Sequence, residues 1–355
     1  MAEKVFLHIG LPKTGTTYLQ QVLWDNRDLL RKQGVLLPGR NHREHLWAAL
    51  SAQGRTGLEK RHRRAPGTWG RFAAELAAWP GTGLVSHEFF CGAGVAAIKD
   101  VVASLEPAEV HVVVTARDAL GMLTAGWQER VKNGDTLRPE AVAGAKQQDS
   151  EFSWRTWDLG GVLERWSEVI APERLHVLVL PGRDAAPGQH WHNFAETIGL
   201  QGDFPLPEQV ANPSIGVVQV ELLRRINAEL GDFRRPSDRG TWIRGHLAEK
   251  WLALQEGDRL VMTPELVADC RRRSTRAVEL IGERGLHVVG DVESLLVPVE
   301  PARGRPIDTV TDAELVEASA QLVAVMLADV RDLTRELDQA RAPREPRFRW
   351  PGRPV

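Results

Sequence analysis

The chain has 355 residues, 43% hydrophobic and 26% charged, the mix of a soluble globular protein with enough apolar mass to bury a full core. Its formal net charge of -2 exerts no global pull on nucleic acid or an anionic membrane, so any anion site has to be local. Cys91 and Cys270 lie far apart and match neither a metal spacing nor a disulfide framework, which points to a reducing, cytoplasmic compartment.

The first apolar run, residues 4–10, ends at Gly10 and Pro12 and is too short for a signal-peptide core. No later stretch approaches the roughly 20 apolar residues that span a bilayer. The run suits a buried strand feeding a loop. A helix follows, with Leu19, Val22, Leu23 and Leu30 on one face. Residues 35–37 form a second short strand, 45–50 a helix, 54–67 a basic loop punctuated by Gly and Pro, and 69–79 another helix.

Alternation then becomes regular: strands at 83–86, 110–116 and 175–180, separated by helices at 95–105, 118–132 and 157–170. Such spacing predicts an α/β fold, a central parallel sheet flanked by helices on both faces. Beyond residue 207 the pattern is nearly all helical, over 217–230, 241–254 and 264–285. Leu315, Ser319, Leu322, Met326, Val330, Leu333 and Leu337 recur at steps of three or four, marking one long amphipathic helix. It packs on its own domain or forms a homodimer contact. The expected division is an α/β domain over 1–300, this helix over 301–340, and a disordered tail over 341–355 with five arginines and four prolines.

The segment 10–17, GLPKTGTT, lies between the first strand and the first helix. A loop there presents backbone N–H groups and the positive end of a helix to an anion. Gly15 permits close approach, and Thr14, Thr16 and Thr17 offer hydroxyls. A Walker A loop has its lysine directly after the second glycine, where this chain has Thr16; its lysine, Lys13, lies inside the loop.

The string P-K-T-G-T-T resembles the 5′-phosphosulfate loop of the sulfotransferase family that uses 3′-phosphoadenosine 5′-phosphosulfate (PAPS). The resemblance reaches from residue 4 to about 230 and implies a P-loop-NTPase-like sulfotransferase fold with PAPS as co-substrate and no metal requirement. It implies nucleotide contacts from Pro12, Lys13, Thr14, Gly15, Thr16 and Thr17, with Lys13 also stabilising the bridging oxygen. A second contact is implied where the strand VVVTAR ends in Arg117, whose planar fork suits a 3′-phosphate. At the family's serine position this chain has Ala125, leaving neighbouring Thr124, or Gln128, as the substitute. Asn212 and Ser214 lie in a further similar segment and are nucleotide-facing in the same comparison.

For the acceptor, a small molecule or carbohydrate carrying a hydroxyl or amine, the third strand ends in Ser86-His87-Glu88 before Phe89 and Phe90. Family members carry a His or Glu near this point as general base. On an extended strand, adjacent side chains point to opposite faces, so one of His87 and Glu88 is expected in the cleft. Glu88 is favoured, its pKa raised by the phenylalanines. His45 and the basic run Arg55 to Arg64 are further candidates for the acceptor side. Two other classes stay open: a nucleotide or metabolite kinase, and a nucleotide-binding protein without catalysis.

Overall fold

A computed structural model describes residues 2–145, 151–182, 184–207, 215–233, 235–300 and 303–341. Six strands, β1 (Lys4–His8), β2 (Val35–Leu36), β3 (Thr82–Ser86), β4 (Glu109–Ala116), β5 (Leu175–Val179) and β6 (His287–Val289), form one sheet in the order β2-β3-β1-β4-β5-β6. Every pairing is parallel. β1 runs through the middle, with His8 opposite Ser86 on one side and Val113 on the other.

The period of two along each strand sends side chains to both faces. Val5, Leu7, Val112 and Val114 join one hydrophobic cluster, while Phe6, Leu84, Val113 and Leu178 join a second. Both faces are therefore covered, which is why β1 and β4 read as continuous apolar runs rather than alternating ones. The first cluster extends from Ala2 to Leu322, so the C-terminal third shares the core of the sheet.

The helices before β5 include α1 (Thr16–Asp25), α2 (Arg27–Lys32), α3 (His42–Ala52), α4 (Thr68–Ala77), α5 (Val95–Ala103) and α6 (Ala119–Lys132). The single helix expected to carry Leu19 through Leu30 is broken at Asn26, whose amide donates to Val22 O and Pro205 O, both at 2.9 Å. A side chain that bonds its own helix four residues back competes with continuation of the ladder. β6 and the helix Gln189–Thr197 were not anticipated, and Arg239–Trp251 winds as a π-helix.

The final helix runs Asp312–Arg341. Leu315, Ala318 and Leu322 are buried against the body, whereas Val330 to Arg341 is exposed throughout. Among the described residues no helix is long and apolar enough to cross a membrane. The tail beyond Arg341, Asn212 and Ser214 lie outside the described residues.

Candidate functional site

The loop 9–15 leaves the carboxyl end of β1 between β3 and β4. In open parallel sheets this is where ligands gather. The loop is fastened to β4 by Ile9 N–H to Val113 O at 2.9 Å and Leu11 N–H to Thr115 O at 2.8 Å. The buried Thr14 hydroxyl donates to Leu11 O at 2.6 Å and lies 2.7 Å from the Thr115 hydroxyl. Thr14 thus holds the loop's shape, and Thr16 is also buried; Thr17 is exposed at the first turn of α1.

Three residues of the loop have positive φ: Gly10 (30°), Lys13 (65°) and Gly15 (77°). Lys13 is the sole non-glycine with positive φ among the described residues, an uncommon backbone state that concentrates at functional sites. A Cβ on Gly15 would sit 2.8 Å from the His190 ring, so the glycine is required by space as well as by backbone. The N–H groups of Gly15, Thr16 and Thr17 have no acceptor among the described residues. Together with the helix dipole they form an anion cradle.

The Lys13 ammonium is not free above this cradle. It contacts Glu129 Oε2 at 2.9 Å, and Glu129 is 4% exposed. The other carboxylate oxygen takes Arg244 at 2.9 Å and the Asn133 amide at 3.0 Å. Burial pushes the Glu129 pKa up, but the charges of Lys13 and Arg244 outweigh it and hold the group below the ordinary carboxylate range. Lys132 is also buried, and burial lowers its pKa.

His87 and Glu88 correct the expectation of opposite faces. β3 ends at Ser86 and the chain turns into a 3₁₀ helix, Glu88–Gly92, capped by His87. The two side chains converge, His87 Nδ1 lying 3.7 Å from Glu88 Oε2. His87 Nδ1 accepts from Phe89 N–H at 3.1 Å, and burial lowers its pKa. The Glu88 pKa is not raised. Burial presses it up, yet His87, the residue's own N–H and the Gln20 amide, 3.0 Å away, bring it below the ordinary value.

Gln20 lies on α1, so the helix that opens the anion cradle also holds the candidate base. His8, at the end of β1, ties these parts together. It is fully buried, with Nδ1 2.7 Å from the Ser86 hydroxyl, and burial lowers its pKa to about 3. His87 N–H donates to His8 O at 3.0 Å, and the His8 ring lies against Gly10 as the His190 ring lies against Gly15, so these groups gather at one end of the sheet. His190 itself is held at about 4, by burial.

Arg117 follows β4 as expected, but its guanidinium lies over Gly121 with Nε 3.9 Å from Asp118. It shares a small cavity with Trp157, Asp158 and Arg273. Asp118 caps α6 through Gly121 N–H at 2.7 Å. The Thr124 hydroxyl donates to Leu120 O at 2.8 Å, and the Gln128 amide donates to Ile215 O at 3.2 Å. Neither is turned toward Arg117 by these bonds.

On the acceptor side, His45 is structural. It is 1% exposed, accepts from Ser86 N–H at 3.0 Å and donates to Pro38 O at 2.9 Å, with its pKa near 3 through burial. Of the basic run, Arg64 is anchored to buried Glu44 at 3.1 Å, while Arg55, Lys60, Arg61 and Arg63 are exposed.

Sequence reasoning missed Glu129, Arg244, His8 and His190. His190 was findable: Trp191, Phe194, Ala195 and Ile198 follow it at helical spacing. Glu129 was not, because Gln128-Glu129-Arg130 reads as a solvated helix face. A scan against protein-family models and a comparison with curated proteins gave no match to this chain.

Proposed function

We propose that this chain is a sulfotransferase that takes a sulfuryl group from PAPS and delivers it to a hydroxyl or amine of a small-molecule or carbohydrate acceptor, on a P-loop-like sulfotransferase fold. The observation that carries this reading is Lys13: a lysine inside the β1–α1 loop, in a strained backbone state, with a threonine where an ATP-binding loop has its lysine.

The residues present fit a phosphosulfate. The nucleotide supplies an activated sulfuryl group on its 5′-phosphate. Gly15 gives close backbone approach, and the first N–H groups of α1 neutralise phosphate oxygens. As the acceptor oxygen bonds to sulfur and the sulfur–oxygen bond to phosphate breaks, negative charge grows on the former bridging oxygen. Lys13 is the cation that meets it once it leaves Glu129. Glu88, charged and oriented by Gln20, takes the acceptor proton. Arg117 is the group proposed for the 3′-phosphate, which requires its guanidinium to turn from Asp118.

The test is turnover. Incubation with PAPS and a panel of hydroxyl and amine acceptors should release 3′-phosphoadenosine 5′-phosphate in proportion to a sulfonated product. Transfer from ATP to the same panel, with none from PAPS, would favour the kinase reading instead.

A further inference from the structure

The helix Asp312–Arg341 carries two separate apolar faces. Among the described residues, seven of the twelve large, exposed hydrophobic side chains lie on it, so they are concentrated rather than scattered. With Val316 assigned to heptad position a, Val323, Val330 and Leu337 also fall at a, and Met326 and Leu333 fall at d. The residues that touch the body fall elsewhere. Leu315, Leu322 and Asp329 are at g, and Ala318 and Val325 at c.

That second face is firmly held. Asp329 pairs with Lys250 at 2.8 Å and His246 at 3.2 Å, and Gln255 donates to Ala318 O at 3.3 Å. The helix is therefore fixed by its c/g side and presents a and d outward. From Val330 to Arg341 every residue is exposed, with Val330 at 58% and Leu333 at 53%. A free-standing helix of that length is marginal in water without a partner against its apolar side.

We propose that this stripe is the seam of a parallel, two-stranded coiled coil with a second copy of the chain. The span from Val316 to Arg341 is 26 residues by number, about 39 Å of helix, and covers more than three heptads. Valine at three of the four a positions, with Met326 and Leu333, neither of them branched at Cβ, at the two central d positions, is the combination that favours two parallel strands. Charge agrees. Glu336 is at g and Arg341 at the following e, the pair that faces across a parallel dimer, and two-fold symmetry makes it twice. An antiparallel pair would bring g positions together; Leu315 and Leu322 at g are buried against the body, and the two g residues that remain, Asp329 and Glu336, are both acidic.

Sedimentation of the full chain tests the proposal. The wild type should run as a dimer at tens of micromolar, and the double variant Val330→Glu, Leu333→Glu as a monomer whose far-UV circular dichroism loses no more helix than the exposed segment 330–341 carries. Glu336→Arg should weaken the dimer, and adding Arg341→Glu should restore it. Cys91 and Cys270 are buried, so a single Leu333→Cys reports on the seam. Under mild oxidation it should link two chains in the parallel register. A monomeric wild type, a dimer indifferent to the double glutamate variant, or failure of Leu333→Cys to cross-link would each overturn the proposal.

Discussion

Lys13 Nζ and Glu129 Oε2 are 2.9 Å apart, and the carboxylate they share with Arg244 is almost wholly buried. The loop lysine is thus parked on α6 when no anion competes for it. To serve a leaving oxygen it has to exchange one negative partner for another. Glu129 keeps Arg244 and Asn133 when Lys13 departs, which makes the exchange feasible.

Two variants separate the roles in this pair. Lys13→Ala should lower turnover far more than it weakens binding of the product nucleotide, because the charge it meets develops in the transition state. Glu129→Gln should release Lys13 and tighten product binding at a small cost to the fold, about 1 kcal/mol or less, because Arg244 is 39% exposed and keeps Glu249 at 3.1 Å. Isothermal titration and single-turnover transfer read the two effects. A Lys13→Ala protein with full turnover and poor affinity would make Lys13 a binding residue only.

Glu88→Gln keeps the shape and the bond to Gln20 but removes proton acceptance. Turnover should fall about 10²–10⁴-fold with nucleotide affinity unchanged. His87→Asn should be milder, since the ring caps the 3₁₀ turn and its Nδ1 is occupied by Phe89 N–H. Because Glu88 sits below the ordinary carboxylate range, the turnover it supports should be flat through neutral pH and fall only in acid. An active Glu88→Gln enzyme beside a dead His87→Asn enzyme would reverse the assignment.

Much of the fold was legible in the sequence, because buried parallel strands write themselves as apolar runs: β1 and β4 stand out at once. β6 did not, being three half-covered or exposed residues at a sheet edge. The β1–α1 loop was legible as a turn through its glycines, a backbone signal that does not depend on distant partners. The partners were not. Glu129 meets Lys13 across 116 positions of chain, and nothing local distinguishes it from a surface glutamate. The His87–Glu88 error has a local cause. Alternation holds only while a strand continues, and β3 stops one residue before the pair.

Acid should unfold the protein through its buried histidines. His8 and His45 are neutral in the folded state, both held near pKa 3 by burial, whereas in the unfolded chain they titrate near 6.5. Between those values the unfolded state binds more protons, so stability falls as pH drops from about 6.5 toward 3. Near pH 5 the two together give a slope approaching two protons, about 2.7 kcal/mol per pH unit. Urea unfolding at pH 7.5, 6 and 5 measures this, and equal stability at pH 7.5 and 5 would contradict it.

The most direct measurement of the proposed function is calorimetric binding of 3′-phosphoadenosine 5′-phosphate, 5′-AMP and Mg-ATP to the same protein. A sulfotransferase should bind the bisphosphate without metal and at least about tenfold more tightly than 5′-AMP, a difference of about 1.4 kcal/mol. Arg117→Ala should erase that preference, and Mg-ATP should bind weakly. Equal affinity for the bisphosphate and 5′-AMP would remove Arg117 from the site, and tight, metal-dependent binding of ATP in preference to the bisphosphate would contradict the sulfotransferase reading.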